Sequence, residues 1–60
     1  MDDIIEYKNF LGTIEFSKEK NNFHGQVLNI KVELTYEGNT IDELIMNFQN
    51  TVDDYLDLFA

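Results

Sequence analysis

Sixty residues without a single cysteine allow one domain and exclude disulfides, thiolate nucleophiles and cysteine-ligated metal. Twelve acidic residues against four lysines give a net charge of −8, a field that repels phosphate backbones and opposes direct binding of DNA or RNA. The same field attracts a basic protein and speeds the encounter.

The charge is also lopsided. Lys8, Lys18, Lys20 and Lys31 all lie in the first half, whereas from Val32 onward there are Glu33, Glu37, Asp42, Glu43, Asp53, Asp54 and Asp57 and no base. Hydrophobic residues make up 43% and aromatics 13%, ordinary for a folded domain and too rich for a disordered one. A domain of this size hides only about 60% of the surface its unfolded chain exposes, so a partner that completes the burial is expected. No apolar run reaches a membrane span, and the start Met1-Asp2-Asp3 is acidic where a secretory signal is basic. A cytoplasmic protein is expected.

In chain order, Asn9 to Phe16 comes first. Phe10, Gly12, Ile14 and Phe16 alternate with Leu11, Thr13 and Glu15, the two-residue period of a strand with one apolar face. The polar run Ser17 to Asn22 reads as a hairpin loop. Phe23 to Leu28 resumes the alternation and forms a second strand, antiparallel because the connection is short. In the third run, Ile30, Val32, Leu34 and Tyr36 share one face, predicting a third antiparallel strand from Ile30 to Glu37 after a tight turn or bend near Asn29. Gly12 and Gly25 inside strands admit two readings: a bulge, or an aromatic from the neighbouring strand lying across the backbone.

After Gly38-Asn39 the period lengthens to that of a helix. Thr40-Ile41-Asp42-Glu43 is a capping box, in which the threonine accepts from the amide of Glu43 and Glu43 reaches back to the amide of Thr40. Ile41, Leu44, Ile45, Phe48, Val52, Tyr55, Leu56 and Phe59 then form one apolar stripe opposite an acidic face. The expected fold is α+β: a three-stranded antiparallel sheet followed by one long amphipathic helix (β-β-β-α), packed as two layers.

Three constellations bear on chemistry. Asp53 and Asp57 share a helix face, with Asp54 beside them, and paired carboxylates hold hard cations. No third ligand or phosphate-binding glycine loop accompanies them, so a solvated acidic face is the better reading and no metal is expected. His24 and Ser17 are the one histidine and the one serine, and Ser17 falls in the loop, so no nucleophile, base and orienter assemble. His24 reads as a partly exposed residue on the polar face of its strand. Tyr7, Phe10, Phe16, Phe23 and Tyr36 resemble a base-stacking platform only until the missing basic residues are considered; they read as core. No catalytic residue and no cofactor is expected.

Beyond these local signals the chain resembles the HicB antitoxin family, over roughly Tyr7 to Leu58. The residues carrying the likeness are Tyr7-Lys8-Asn9-Phe10-Leu11-Gly12, Ile14-Glu15-Phe16-Ser17, Phe23-His24-Gly25-Gln26-Val27-Leu28, Thr35-Tyr36-Glu37-Gly38-Asn39-Thr40, Asp42-Glu43-Leu44 and Val52-Asp53-Asp54-Tyr55-Leu56. The resemblance implies a partial ribonuclease-H-like fold whose ancestral carboxylates no longer catalyse. It also implies a bacterial type II toxin-antitoxin system. There the domain covers the active site of a small basic HicA-like toxin that cleaves messenger RNA. On that reading Glu33, Glu37, Asp53, Asp54 and Asp57 complement the toxin's basic surface.

The chain departs from the family at Val32-Glu33, where an acidic-then-apolar pair is usual. Relatives continue with a further strand and a DNA-binding domain, whereas this chain ends at Ala60. The expectation is a shortened antitoxin without DNA binding, whose unpaired sheet edge makes a homo-oligomer. The alternative is a stand-alone HicB-like interaction module, structural or regulatory, without a toxin. A metal-dependent nuclease using the aspartates ranks last.

Overall fold

The computed structural model describes residues 3–59 and side chains as far as Leu58. Met1, Asp2 and the Phe59 side chain, the last expected on the apolar stripe, lie outside the described residues. Five elements follow one another: β1 (Asp3–Tyr7), β2 (Phe10–Ser17), β3 (Asn22–Gln26), β4 (Thr35–Gly38) and α1 (Ile41–Phe59). The strands form one antiparallel sheet in the order β1-β2-β3-β4, and the helix lies across one face. The α+β class and the long amphipathic helix are as the sequence predicts. The three-stranded sheet is corrected to four strands.

The added strand is β1. Its sequence, Asp-Ile-Ile-Glu-Tyr, sets two isoleucines side by side between acids, so no clean alternation announces it. The connection to β2 is two residues, Lys8 and Asn9, both with positive φ (51° and 71°). That is the backbone of a primed turn, whose twist matches the strands it joins. Lysine is not a residue that marks such turns, which hides the hairpin from sequence patterns.

The third predicted strand is also corrected. Of Ile30 to Glu37 only Thr35 onward is strand, and residues 28–34 form a loop. The Val27 N–H donates to the Leu34 carbonyl (3.0 Å), the Leu28 N–H to the Leu11 carbonyl (2.8 Å), and Asn29 turns the chain at φ 60°. Ile30 and Leu34 pack against the core from this loop while Val32 is exposed, so the alternation reports which residues tuck inward rather than a strand.

Register supplies the physical reason. A tight turn centred on Asn29 and Ile30 would set Tyr36 opposite Phe23. The observed pairing sets it opposite Gly25, with Phe23 opposite Gly38. Tyr36 then lies across two glycines: a Cβ on Gly12 would stand 2.2 Å from its hydroxyl, and one on Gly25 2.8 Å from it. Its Oη donates to the Thr13 carbonyl at 2.7 Å. Of the two readings of these glycines, the crossing aromatic is the one observed.

Around Tyr36 the core consists of Val27, Leu44, Phe48 and Val52. The helix contributes Leu44, Phe48 and Val52 at 0%, 1% and 1% exposure, one face at helical spacing, and each such burial stabilises by about 1.5–3 kcal/mol. The Tyr36 and Phe48 rings meet at 5.1 Å. Phe10 meets Tyr55 edge to face at 5.6 Å. Phe16, expected in the core, is 49% exposed and leans on Phe23 at 5.0 Å. Ile41, the first residue of the expected stripe, is likewise exposed.

The helix start follows the capping signal in part. The Glu43 N–H donates to Thr40 Oγ1 at 3.1 Å, whereas the Glu43 carboxylate takes the Asn39 N–H at 3.5 Å instead of that of Thr40. Gly38 lets this turn close onto β4, since a Cβ there would lie 2.6 Å from the Leu44 nitrogen. Asn47 Nδ2 donates to the Glu37 carbonyl beside it. No helix among the described residues is long and apolar enough to cross a membrane.

Candidate functional site

The fold divides the candidate acids between two surfaces. Glu37 belongs to β4 and lies on the sheet face turned away from the helix. Asp53, Asp54 and Asp57 lie near the helix C-terminus, where with Lys8 and Leu56 they line one shallow depression. Glu33 is exposed in the 28–34 loop. The five residues do not form one patch.

Asp53 differs from its neighbours. Lys8 Nζ stands 2.8 Å from its Oδ1, Tyr7 Oη donates to its Oδ2 at 3.2 Å, and the Lys8 ammonium lies 5.2 Å from the Tyr7 ring centroid. The hydrogen bond from Lys8 holds the Asp53 carboxyl below the usual carboxylate range. The same contact raises Lys8. Asp53 therefore clasps the β1–β2 turn to the helix, a role that needs the turn geometry and leaves no trace in the helix pattern. Asp54 and Asp57 remain exposed, at the helix end where the dipole disfavours acids by some tenths of a kcal/mol.

The open sheet face holds what the sequence reading missed. Cross-strand register sets Glu15 opposite His24 and His24 opposite Glu37, so an acid, a histidine and an acid form one row over three strands. Residues directly opposite have Cβ atoms about 4.5–5.5 Å apart. His24 is exposed on the polar face of β3, as the alternation predicts. The row lines a depression of about 430 Å³, together with Asn22, Gln26 and Thr35. Asn22 is only 8% exposed, and its Nδ2 donates to Glu37 Oε2 at 2.8 Å. Its Oδ1 is buried with no hydrogen-bond partner. Alternation alone assigns Glu15 and His24 to a polar face; only the pairing register makes them neighbours.

Comparison with protein-family models, curated proteins and solved structures gave no match.

Both surfaces are rich in carboxylates, with Lys20 and His24 lining one depression and Lys8 the other. Among the described residues no three histidine or acidic side chains come close enough to hold a metal ion. The Ser17 hydroxyl accepts the Lys20 N–H at 3.3 Å, a contact within the β2–β3 turn. The aromatics lie on the helix side, where Tyr36 at 6% exposure is part of the core; burial pushes its phenol up to about 12.

Proposed function

We propose that this chain is an antitoxin-type binding module that neutralises a small basic ribonuclease by covering its active site, and that it catalyses nothing itself. The observation that carries the reading is the exposure of acids on both layers. Glu15 and Glu37 on the sheet and Asp54 and Asp57 on the helix have no cation within 4.0 Å among the described residues, and Lys8 with Asp53 forms an ion pair. Such a surface favours association with a cationic protein through complementary potential. The HicB resemblance from Tyr7 to Leu58 supplies the partner class, a HicA-like toxin acting on messenger RNA in the bacterial cytoplasm. The finer fold reading, a partial ribonuclease-H-like domain, belongs to this proposal, as does self-association through a sheet edge. In this sheet the edges are β1 and β4.

The test is whether an adjoining reading frame encodes a small basic protein, followed by co-expression of this chain with it. Rescue of growth together with co-purification supports the reading. Failure of both rejects it.

A further inference from the structure

We infer that the edge of β1 pairs antiparallel with β1 of a second copy, centred on Ile5, and closes a two-fold dimer. This deepens the self-association through a sheet edge proposed above and rests on it. The sheet has two edges, and they differ. Next to β4, the Val27 N–H donates to the Leu34 carbonyl. The alternation of an antiparallel pair then turns the backbone groups of Tyr36 and Gly38 toward β3 and those of Thr35 and Glu37 outward. The outward Glu37 carbonyl is taken by Asn47 Nδ2 from the helix that follows. A strand added there would have to displace that contact, so the β4 edge is capped.

The β1 edge is open. Its two-residue turn makes Tyr7 and Phe10 a hydrogen-bonded pair. Ile5 with Gly12 and Asp3 with Ile14 then bond in the same way, which leaves the N–H and C=O groups of Ile4 and Glu6 pointing away from the sheet. Leu11, opposite Glu6, agrees: its carbonyl accepts from the Leu28 N–H on its other side. Ile4 is 47% exposed, and β1 carries neither a proline nor a bulge. Such an edge is a template for another strand.

Register and charge select the occupant. Two antiparallel copies use both outward residues when Ile4 of each faces Glu6 of the other, joined by four backbone hydrogen bonds about an axis at Ile5. An axis at Ile4 would pair Glu6 outside β1, and an axis at Glu6 would oppose two like charges, which destabilises. With the axis at Ile5, the two isoleucines meet as a non-hydrogen-bonded pair with Cα atoms about 4.5 Å apart. The antiparallel direction also brings the Asp3 end of one strand to the Lys8 turn of the other, acid toward base. A β1–β1 contact is self-complementary and closes, whereas β1 on β4 would continue as a filament; the capped β4 edge prevents that. A five-residue edge covers less than the roughly 1,200 Å² of a lasting complex, and a charge of −8 per copy opposes it. The dimer is therefore weak, and it forms at high protein concentration and high salt.

The test is sedimentation equilibrium of the full chain up to about 1 mM, in about 1 M salt, where the screening length is about 3 Å. A monomer–dimer equilibrium without larger species is expected. Backbone amide NMR over the same dilution is expected to shift Ile4, Ile5 and Glu6 and to leave Tyr36 and Glu37 in place. Glu6→Pro removes one outward donor per copy at a position where an edge strand accepts proline. It is expected to melt close to the parent and to weaken the dimer by about tenfold or more. Glu6→Gln keeps the donor and is expected to dimerise at least as tightly as the parent.

A chain that stays monomeric throughout refutes the β1 pairing and self-association together. Species beyond the dimer, dilution shifts centred on β4, or an unchanged dimer in folded Glu6→Pro refute the β1 edge and leave self-association standing. The antitoxin reading is judged by co-expression and stands or falls apart from these results.

Discussion

Gly12→Ala in combination with Tyr36→Phe isolates the packing device at the centre of the sheet. A methyl on Gly12 would stand 2.2 Å from the Tyr36 hydroxyl and 2.8 Å from Phe48 Cε1. Both rings must move, and overpacking of this kind costs about 1–3 kcal/mol. Tyr36→Phe alone loses the 2.7 Å bond to the Thr13 carbonyl, worth about 0.5–1.5 kcal/mol. In the double variant the closest clashing atom is gone, so the combined loss falls short of the sum by at least about 0.5 kcal/mol. Gly25→Ala is the control. Its methyl would meet the Thr13 carbonyl oxygen at 1.9 Å, a backbone clash that Tyr36→Phe leaves untouched. Urea unfolding followed by far-ultraviolet circular dichroism gives the free energies, with a constant m-value confirming that the unfolded state is comparable. Additivity of the Gly12 pair, or equal rescue of Gly25→Ala, would refute this account of the glycines.

Phe48→Ala removes a ring at 1% exposure and is expected to cost about 3–5 kcal/mol, enough to leave a domain of this size largely unfolded by thermal melting. Asn9→Val forces a β-branched residue to φ 71° and is expected to cost about 1–2 kcal/mol, whereas Asn9→Gly is expected to be tolerated in the same melts. Because burial raises the Tyr36 phenol from 10.0 to about 12, its neutral form is favoured by folding; that contribution is complete below pH 10 and disappears as pH rises toward 12. Tyrosinate absorbance is expected to show one late-ionising group that Tyr36→Phe removes. The lowered Asp53 carboxyl works in the opposite sense: its contribution is present above its ordinary 3.8 and is lost as pH falls below it. Asp53→Asn or Lys8→Met is therefore expected to blunt the acid limb of the pH–stability profile, measured by thermal melting below pH 4 against the parent.

Much of the local structure was legible from the order of residues. Alternation in Phe10 to Phe16 and in Phe23 to Val27 follows from the pleat, which sends neighbouring side chains to opposite faces wherever one face is buried. The capping threonine and the spacing of Leu44, Phe48 and Val52 specify a helix through contacts a few residues apart. Charge is equally local information, and the concentration of acids beyond Val32 is legible without any coordinates.

Register belongs to a different level. Whether Tyr36 faces Gly25 or Phe23 depends on how a ring fits between a sheet and a helix, so it shortens the third strand and turns residues 28–34 into a loop. The same pairing brings Glu15, His24 and Glu37 into one row, and the turn at Lys8 and Asn9 carries a lysine to Asp53. These contacts join residues 9 to 45 positions apart in the chain. Periodicity reports only which side of an element is apolar, whereas the partner across the gap is chosen by packing, and packing exists only once the layers have met.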